Sequence, residues 1–497
     1  MITFSEFSCE FDYLSGAKNR ELTIGKSKNY TVYVNGIEAP TYKCRTSANP
    51  INQEWRGYQR PIAQSEIHSF VNIIGDESAV IKVKISDAAQ RVRIKPYSKN
   101  VRIAEKDGFY EFTLTENGYY VLENGDFHDS LFILYGAPVP MKEKPTYYFG
   151  KGVHFVGKIT MKSGQSVYVD KDAYVYGTLF AENVENIEVY GNGIFDGGTE
   201  ERVCGNAYEK FINGNLKIYD CKNVSVRGVG FVNSAIWCVN LYHCFNVNID
   251  GVKVFGQWRY NTDGIDIVNS QNVTVKNSLF QSFDDSIVLK GIERYKDTDC
   301  AHVLIENCVV QCDWGKTLEV GLETRCNNMY DITFRNCDVI RAGNTACDIQ
   351  NGDFAFIHDV IFYDIRVEID KEHTEHVYQS SFEEEYPKIA RYFPVFLLKI
   401  FNRQFNTANF KAHDLALFGD RAATVDNIVA KNITVYLDKD LPTADGKYNC
   451  AVDITSHVKG KRYGKITIEN VVINGAPVLY EDLLAMVSDT DEFVWKK

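Results

Sequence analysis

Alternating apolar and polar residues recur along this chain at a nearly regular interval. The recurring pattern consists of a polar residue, alternating apolar positions, a small or polar residue and a second apolar pair. Its copies begin at Asn186, Asn223, Asn246, Asn272, His302, Asp331, Asp359, Asn427 and Lys465. Apolar alternation is typical of β-strands. Most copies begin roughly 20 to 40 residues after the one before, an interval typical of solenoids and propellers, and only the gap from Asp359 to Asn427 is much longer.

The repeat interval favours a parallel β-helix. A core interval of roughly 22 to 30 residues with one short strand in each unit fits one coil of that fold. Leucine-rich repeats need a regular Leu-x-x-Leu-x-Leu frame, which is absent, and propeller blades need about 40 to 50 residues. Coils stack their strands about 4.8 Å apart. We therefore expect the recurrent Asn and Cys residues to form ladders, with side-chain amides bonded along the stack.

Residues 1–145 follow a different pattern. Short alternating strands with turn residues roughly every 8 to 12 positions are typical of a β-sandwich. The change falls near Ala137-Pro-Val-Pro-Met141, where prolines end strand pairing. The sequence therefore predicts an all-β chain, with a sandwich over 1–145 and a β-helix over 146–497. The long gap between Asp359 and Asn427 predicts an insertion near 366–425, partly helical over 373–402, that either shapes a binding cleft or packs as a cap.

Composition narrows the classes of function. The chain has 497 residues, 45% of them hydrophobic, and 66 acidic against 54 basic residues give a net charge of −12. This charge argues against nucleic-acid and anionic-membrane partners. No apolar run reaches the roughly 18 residues of a membrane span, and no secretory leader is visible, so a cytoplasmic location is expected unless a leader has been cleaved. The 13 cysteines include no Cys-x-x-Cys pair, and we interpret them as buried, reduced core residues.

Two acidic segments carry the candidate chemistry. Asn261-Thr-Asp-Gly264 contains Asp263, and the distance along the chain from Asp263 to the pair Asp284 and Asp285 is close to one coil. Stacking places these carboxylates in adjacent coils on one face, where their repulsion raises the pKa of at least one. A protonated acid beside an ionised carboxylate is what the hydrolysis of a glycosidic bond requires, without a metal or an organic cofactor.

Other interpretations of these carboxylates remain open. Asn-Thr-Asp-Gly is also a good turn, and paired aspartates at a coil corner are also found solvated. A calcium site would use oxygen atoms of Asp263, Asp266, Asp284 and Asp285, although Asp263 and Asp266 face opposite sides if both lie in one strand. A polysaccharide lyase would need calcium and a basic residue, and a non-catalytic carbohydrate-binding β-helix would need neither.

Residues near the aspartates are candidates for binding sugar. Aromatic rings stack on sugar rings, and the candidates for this role are Trp258, Tyr260 and Trp314. The alternative is that these rings only pack in the interior of the fold. Polar side chains bind hydroxyl groups or pair with each other, and the candidates here are Lys290, Glu319, Glu323 and Arg325. We interpret His243 and His302, which lie at strand starts, as structural.

Asn261-Thr-Asp-Gly264 followed by Asp284-Asp285 resembles the polygalacturonase family of glycoside hydrolases. The resemblance covers residues 145–360, including the stretch 148–180. It implies a right-handed parallel β-helix that hydrolyses α-glycosidic bonds with inversion. By this resemblance Asp284 is the general acid, and Asp263 and Asp285 position and activate the water.

The chain also departs from that family. Polygalacturonases carry Gly-His-Gly about one coil after the paired aspartates, where this chain has Trp314-Gly-Lys316. Their Arg-Ile-Lys motif, which holds the galacturonate carboxylate, corresponds to the stretch 346–352, which has no basic residue. A pocket without that pair favours a neutral sugar over a uronate. The sandwich followed by a β-helix is similar to the dextranase and isopullulanase family, which cleaves α-glucans. The sequence thus predicts hydrolysis of a neutral α-glucan, with galacturonan as the alternative, and leaves the linkage, endo or exo action and oligomeric state open.

Overall fold

The computed structural model describes residues 1–9, 20–48, 62–87, 91–203, 210–371, 394–402, 423–439, 441, 446–456 and 461–497. Nearly all regular structure in these ranges is β-strand, which confirms the predicted all-β class. Short 3₁₀ turns lie at Arg20–Leu22, Ile62–Gln64, Tyr97–Lys99, Glu293–Tyr295 and Tyr480–Asp482. In these ranges, no helix is both long enough and apolar enough to cross a membrane.

Twelve strands form two antiparallel-rich sheets at the N-terminus. The strands are β1 Thr3–Phe4, β2 Gly25–Lys26, β3 Tyr30–Val34, β4 Ile37–Ala39, β5 Tyr42–Ser47, β6 Ser65–Ile74, β7 Ala79–Ile85, β8 Val92–Lys95, β9 Ala104–Lys106, β10 Phe109–Leu114, β11 Gly118–Asn124 and β12 Asp126–Gly136. One sheet has the order β2-β5-β6-β12-β11-β8 with β1 on β6, and the other has the order β4-β3-β7-β10-β9. Alternate residues such as Val32, Ile81 and Ile133 fill the space between them. This arrangement is the predicted sandwich.

Thirty further strands form one long coiled sheet. They are β13 Tyr147–Phe149, β14 Gly152–Met161, β15 Ser166–Val169, β16 Ala173–Glu182, β17 Glu185–Gly191, β18 Ile194–Asp196, β19 Leu216–Tyr219, β20 Lys222–Arg227, β21 Gly230–Val232, β22 Val239–Tyr242, β23 Phe245–Asp250, β24 Lys253–Phe255, β25 Ile265–Val268, β26 Gln271–Lys276, β27 Leu279–Ser282, β28 Ile287–Gly291, β29 Cys300–Glu306, β30 Val309–Cys312, β31 Lys316–Thr324, β32 Asn328–Arg335, β33 Asp338–Arg341, β34 Thr345–Asn351, β35 Phe356–Ile369, β36 Val395–Asn402, β37 Ala423–Leu437, β38 Cys450–Ser456, β39 Arg462–Ile473, β40 Ala476–Pro477, β41 Leu484–Val487 and β42 Thr490–Lys496. From β17 to β32 each strand pairs in parallel with the third strand after it, so three strands make one coil.

Asparagines stack at the coil corners. Asn186, Asn223, Asn246 and Asn272 have φ between 55° and 60°, a left-handed conformation that Asn adopts more readily than most residues. The amide of Asn223 donates to Asn186 at 3.0 Å, that of Asn246 to Asn223 at 3.1 Å, and that of Asn272 to Asn246 at 3.2 Å. The predicted amide ladder is therefore confirmed.

Cysteines contribute to the apolar interior of the β-helix. Cys221, Cys244, Cys308 and Cys337 are buried there, and no disulfide joins cysteines within the ranges that the structure describes. Burial raises the pKa of the Cys221 thiol to about 11. The interpretation of these thiols as reduced core residues fits this packing.

The predicted insertion near 366–425 falls largely outside the described residues. Of the segment 373–402, predicted to be partly helical, only 394–402 are described, and there β36 is a strand. This strand pairs in parallel with β34 and β38 and so belongs to the coil stack. Its buried residues, including Leu398 and Ile400, continue the interior of the β-helix.

The sandwich packs on the β-helix through the sheet that contains β6 and β12. Phe70 and Phe132 of this sheet lie 5.0 Å and 6.4 Å, between ring centroids, from Phe255 of the β-helix. Lys95 crosses the same interface and lies 2.9 Å from Asp370. These contacts bury both faces of the sheet and join the two parts of the molecule.

Candidate active site

The first acidic loop is held in place by the neighbouring coils. Asn261 has a left-handed φ of 54°, and the Thr262 hydroxyl donates to the Arg259 carbonyl at 2.7 Å, which closes a tight turn. The Asp263 carbonyl accepts from the Cys238 amide at 2.9 Å, and the Gly264 amide donates to the Asp285 carbonyl at 2.8 Å. These bonds fix Asp263 between the preceding and the following coil.

The second acidic segment lies directly above it, as a separation of about one coil predicts. Asn261 Nδ2 donates to Asp284 Oδ2 at 2.9 Å and links the two segments. The Asp285 amide donates to Asp284 Oδ1 at 3.0 Å. Asp263, Asp284 and Asp285 are 1%, 6% and 7% exposed. The structure thus brings the three predicted catalytic carboxyls together in a nearly closed space.

A glycine allows the next coil to approach Asp285 closely. A Cβ atom on Gly315 would lie 2.5 Å from the Asp285 amide nitrogen and 2.6 Å from its Oδ1. Because this space stays empty, the Lys316 amide reaches Asp285 Oδ1 and donates at 3.2 Å. The sequence Trp314-Gly-Lys316 therefore has a positional role at the site.

Lys290 lies among the carboxylates, and its side chain is only 3% exposed. Its ammonium is 2.9 Å from both Asp263 Oδ2 and Asp266 Oδ1, and 3.6 Å from Asp285 Oδ2. It also lies 3.7 Å from the centroid of the Trp237 ring. The prediction of Lys290 as a substrate ligand is therefore corrected, since its donors are engaged with the carboxylates.

The position of Lys290 also bears on the calcium interpretation. Strand β25 begins at Ile265, so Asp263 precedes the strand, and the condition under which Asp263 and Asp266 would face opposite sides is not met. Both carboxylates face the same ammonium, which occupies the place between them that a cation would take. No group of three or more His, Cys, Asp or Glu residues suited to a metal ion occurs in the described part of the chain.

The two adjacent aspartates have opposite tendencies to ionise. Burial, and next the charge of Asp285, raise the pKa of Asp284 to about 7. Burial also acts on Asp285, but Lys316, Lys290 and a hydrogen bond with Glu319 together hold the pKa of Asp285 below its ordinary value. The site therefore holds a protonated Asp284 beside an ionised Asp285 in weakly acidic solution.

Asp263 and Asp266 share the charge of Lys290. Burial raises the pKa of Asp263 well above its ordinary value and that of Asp266 to about 6, while Lys290 opposes both shifts. In turn these two carboxylates outweigh burial and raise the pKa of Lys290 well above its usual range. Lys290 is thus a fixed positive charge at the floor of the site.

The aromatic candidates separate into two groups. Trp258 is 1% exposed and its indole N–H donates to Asn233 Oδ1 at 3.2 Å, so the prediction that it stacks on sugar is corrected. Tyr260 and Trp314 are partly exposed, and their ring centroids are 5.8 Å apart. Trp314 also stacks on Phe283, which directly precedes the aspartate pair, at 5.6 Å. These two rings lie beside the carboxyls and remain candidates for sugar stacking.

The remaining polar candidates differ in position. Arg325 binds Asp353 at 3.0 Å and Glu293 at 2.8 Å, so its guanidinium is held by ion pairs apart from the three aspartates, which corrects its assignment as a substrate ligand. Glu323 is partly exposed, and its charge helps to raise the pKa of Lys290. Glu319 is fully buried, which corrects its assignment as a ligand for sugar hydroxyls.

Sequence reasoning missed Lys316. Its side chain is 25% exposed and its ammonium lies 3.8 Å from Asp285 Oδ1 and 3.9 Å from Glu319 Oε1. These acids outweigh burial and raise the pKa of Lys316 well above its ordinary value. The signal was its place in Trp314-Gly-Lys316, where the polygalacturonases carry histidine.

Three comparisons relate this arrangement to known proteins. Residues 141–368 match the family model for Glycosyl hydrolases family 28. An exopolygalacturonase, clone GBGE184, of Arabidopsis thaliana is 28% identical over 225 residues, which are 42% of this chain and 51% of the relative. The chain spans about half or less of the length of the first curated relatives that it matches.

Solved structures show the same fold. Dex49A from Penicillium minioluteum aligns with a TM-score of 0.61 at 12% identity, over 97% of this chain and 94% of that chain. A hyperthermoactive exopolygalacturonase from Thermotoga maritima aligns with a TM-score of 0.51 at 16% identity, over 70% of this chain and 83% of its own. The first alignment includes both the sandwich and the β-helix and supports the predicted dextranase-like layout.

Proposed function

We propose that this chain, whose β-helix belongs to the polygalacturonase-like glycoside hydrolases, cleaves α-glycosidic bonds in a polysaccharide or oligosaccharide with inversion. One observation carries the proposal: Asp284 and Asp285 are adjacent and buried, and their pKa values are displaced in opposite directions. Two carboxyl groups with separated pKa values are the requirement for acid and base assistance at one bond. Replacing Asp284 by Asn tests the assignment.

We assign a role to each carboxyl in this reaction. Protonated Asp284 donates its proton to the glycosidic oxygen as the bond to the anomeric carbon breaks. A water molecule attacks that carbon from the opposite side, and Asp285 takes a proton from it with Asp263 alongside. One direct displacement inverts the anomeric carbon, and no covalent intermediate forms.

The lysines balance the charge that these steps need. Lys290 neutralises the carboxylates on the floor of the site, and Lys316 lies beside Asp285, so the base stays ionised although it is buried. Tyr260 and Trp314 supply apolar faces beside the aspartates for a sugar ring. The bound sugar would also exclude water from the acid.

A neutral sugar is the substrate class that we propose. Besides the three aspartates, the site contains the buried acids Asp266 and Asp348. Asp348 and Gln350 lie in the stretch 346–352, and the amide of Gln350 donates to Asp348 Oδ2 at 2.8 Å. Acidic side chains around the site repel the carboxylate of a uronate and can accept hydrogen bonds from sugar hydroxyl groups.

Galacturonan is the second candidate. Two observations favour it: the similarity to exopolygalacturonases of plants, and the partly exposed ammonium of Lys316. A carboxylate on the sugar would bind Lys316 as a point charge. Oligogalacturonates therefore belong in the same assay.

A panel of α-linked oligosaccharides tests the proposal. Isomaltose, panose and digalacturonate are incubated with the wild-type protein and with Asp284→Asn, and released sugars are measured by chromatography. We expect release from a neutral member, loss of release in the variant and retained binding. Equal release by the variant would contradict the enzyme assignment, and binding without release by the wild type would favour a non-catalytic β-helix.

A lyase would behave differently in the same assay. It would give an unsaturated product that absorbs ultraviolet light, and a chelator would stop a calcium-dependent reaction. We expect activity to persist with a chelator because Lys290 occupies the space between Asp263 and Asp266. An absorbing product that disappears on chelation would contradict hydrolysis.

A further inference from the structure

Glu319 has unusual surroundings for an acidic residue. It lies on β31, paired with Val288 of β28 and Asp348 of β34. It is 0% exposed, and neither of its side-chain oxygens accepts a hydrogen bond from an N–H group or a hydroxyl group in the part of the chain that the structure describes. The nearest cation, Lys316, is 3.9 Å away. A buried carboxylate without donors is strongly disfavoured, so this environment favours the neutral acid.

The Lys316 ammonium links Glu319 to Asp285: it lies 3.9 Å from Glu319 Oε1 and 3.8 Å from Asp285 Oδ1, and Glu319 also lowers the pKa of Asp285. Two carboxyl groups form a hydrogen bond only when one of them carries a proton. Asp285 accepts the Lys316 amide at 3.2 Å and has two ammonium groups, those of Lys290 and Lys316, at 3.6 Å and 3.8 Å. Glu319 lacks comparable donors. The proton of the pair therefore resides on Glu319, which can then donate a hydrogen bond to Asp285.

We propose that Glu319 is a positioning residue: its neutral carboxyl group donates a hydrogen bond that keeps Asp285 ionised and oriented as the base. The inference rests on the proposed function, because it assigns Asp285 to the activation of water. It also replaces the assignment of Glu319 as a ligand for sugar. Glu319 does not contact substrate in this account and acts through Asp285.

Charged groups surround this pair on every side. Lys316 is on the same strand as Glu319, and Lys290 is on β28. Asp348 is on β34, and Asp284 is on the loop before β28. Lys399 of β36 acts to lower the pKa of Asp348. The two lysines remain when Glu319 is replaced. Only the hydrogen bond to Asp285 is lost, so the pKa of Asp285 rises, and a larger fraction of Asp285 is protonated in acid solution.

Two variants distinguish the effect of the hydrogen bond on activity from the effect of side-chain packing. In Glu319→Gln the amide N–H replaces the acid as donor, whereas Glu319→Leu keeps the volume and removes the donor. The pH dependence of kcat/KM and kcat is measured for both and for Val288→Ala, a buried neighbour on the paired strand. We expect Gln to retain activity within about threefold of wild type, and Leu to lose at least about tenfold in kcat with little change in KM.

The acid limb of the pH profile is the decisive readout. We expect it to shift to higher pH by about one unit in Glu319→Leu and to stay in place in Glu319→Gln and Val288→Ala. Three results would overturn the inference. The first is an acid limb of the pH profile that stays in place in Glu319→Leu, and the second is an equal shift of that limb in Val288→Ala. The third is an equal loss of kcat in Glu319→Gln and Glu319→Leu.

A second measurement does not depend on activity. The infrared difference spectrum of wild type minus Glu319→Gln at neutral pH should contain the carbonyl band of a protonated carboxylic acid. A carboxylate band in its place would overturn the inference even if the enzyme is active. If the acid band is present and no glycoside is cleaved, the proposed function fails while the state of Glu319 stands.

Discussion

Replacing Asp284 by Asn removes the proposed acid with almost no change in shape. The carboxamide oxygen still accepts from Asn261, which binds Asp284 Oδ2 at 2.9 Å in the wild-type protein. A general acid contributes about 10²- to 10⁴-fold to the rate, so we expect kcat to fall by that factor. Binding of oligosaccharide, measured by calorimetry, should change little.

The same substitution should stabilise the fold at higher pH. The pKa of Asp284 rises from 3.8 to about 7 in the folded protein, and each pH unit corresponds to about 1.4 kcal/mol. Between these values the folded state keeps a proton that the unfolded state releases, so wild-type stability falls as the pH rises. Above pH 7 the loss is complete and amounts to at most about 4 kcal/mol. The Asn variant does not suffer this loss.

Urea unfolding at pH 4 and at pH 8 measures this difference. We expect the variant to unfold at a higher urea concentration than wild type at pH 8, and the two proteins to be close at pH 4. Asp250→Asn is the control, because Asp250 lies on β23 away from the site and is partly exposed. Wild-type turnover in Asp284→Asn, or a stability difference that is independent of pH, would refute the reasoning.

Substitutions at four further positions test the rest of the site and the coil stack. Gly315→Ala should lower activity at least about tenfold, because its Cβ would clash with Asp285 at 2.5 Å; unchanged kcat would contradict this. Lys290→Met should lower the free energy of unfolding by about 3–5 kcal/mol, because it leaves buried carboxylates unpaired; an unchanged urea midpoint would contradict the pairing. Asn246→Ala should cost about 1–2 kcal/mol in chemical unfolding and Asn246→Gly less, since Gly keeps the left-handed φ of 59°; the reverse order would argue against backbone strain. Trp314→Ala should raise KM more than it lowers kcat, and an unchanged KM in steady-state kinetics would exclude stacking on sugar.

The repeated positions were predictable because a β-helix converts sequence spacing directly into spatial proximity. The recurring Asn predicted the corner ladder, and the separation of about one coil between Asp263 and Asp284 predicted adjacent coils on the same face. Both predictions depend only on the length of one coil. They require no knowledge of how individual side chains pack.

The roles of the neighbouring residues depend on packing between coils, which spacing does not reveal. Trp258 lies three residues before Asn261 of the acidic loop, yet it is buried, because an aromatic ring that follows a strand can face either the core or the cleft. Lys290 and Glu319 were correctly placed near the aspartates, but their partners are set by the strand register of β28 and β31. Lys316 stands in the segment Trp314-Gly-Lys316, but its role beside the base follows only from its contact with Asp285.

The anomeric configuration of the first product tests the central claim most directly. An α-linked substrate from the oligosaccharide panel is added to the enzyme in an NMR tube, and the anomeric proton signals are followed from the first minutes, before mutarotation. Direct displacement by water, with Asp284 as acid and Asp285 as base, predicts that the β-anomer of the released sugar appears first. Initial release of the α-anomer would mean that configuration is retained, and it would contradict the account.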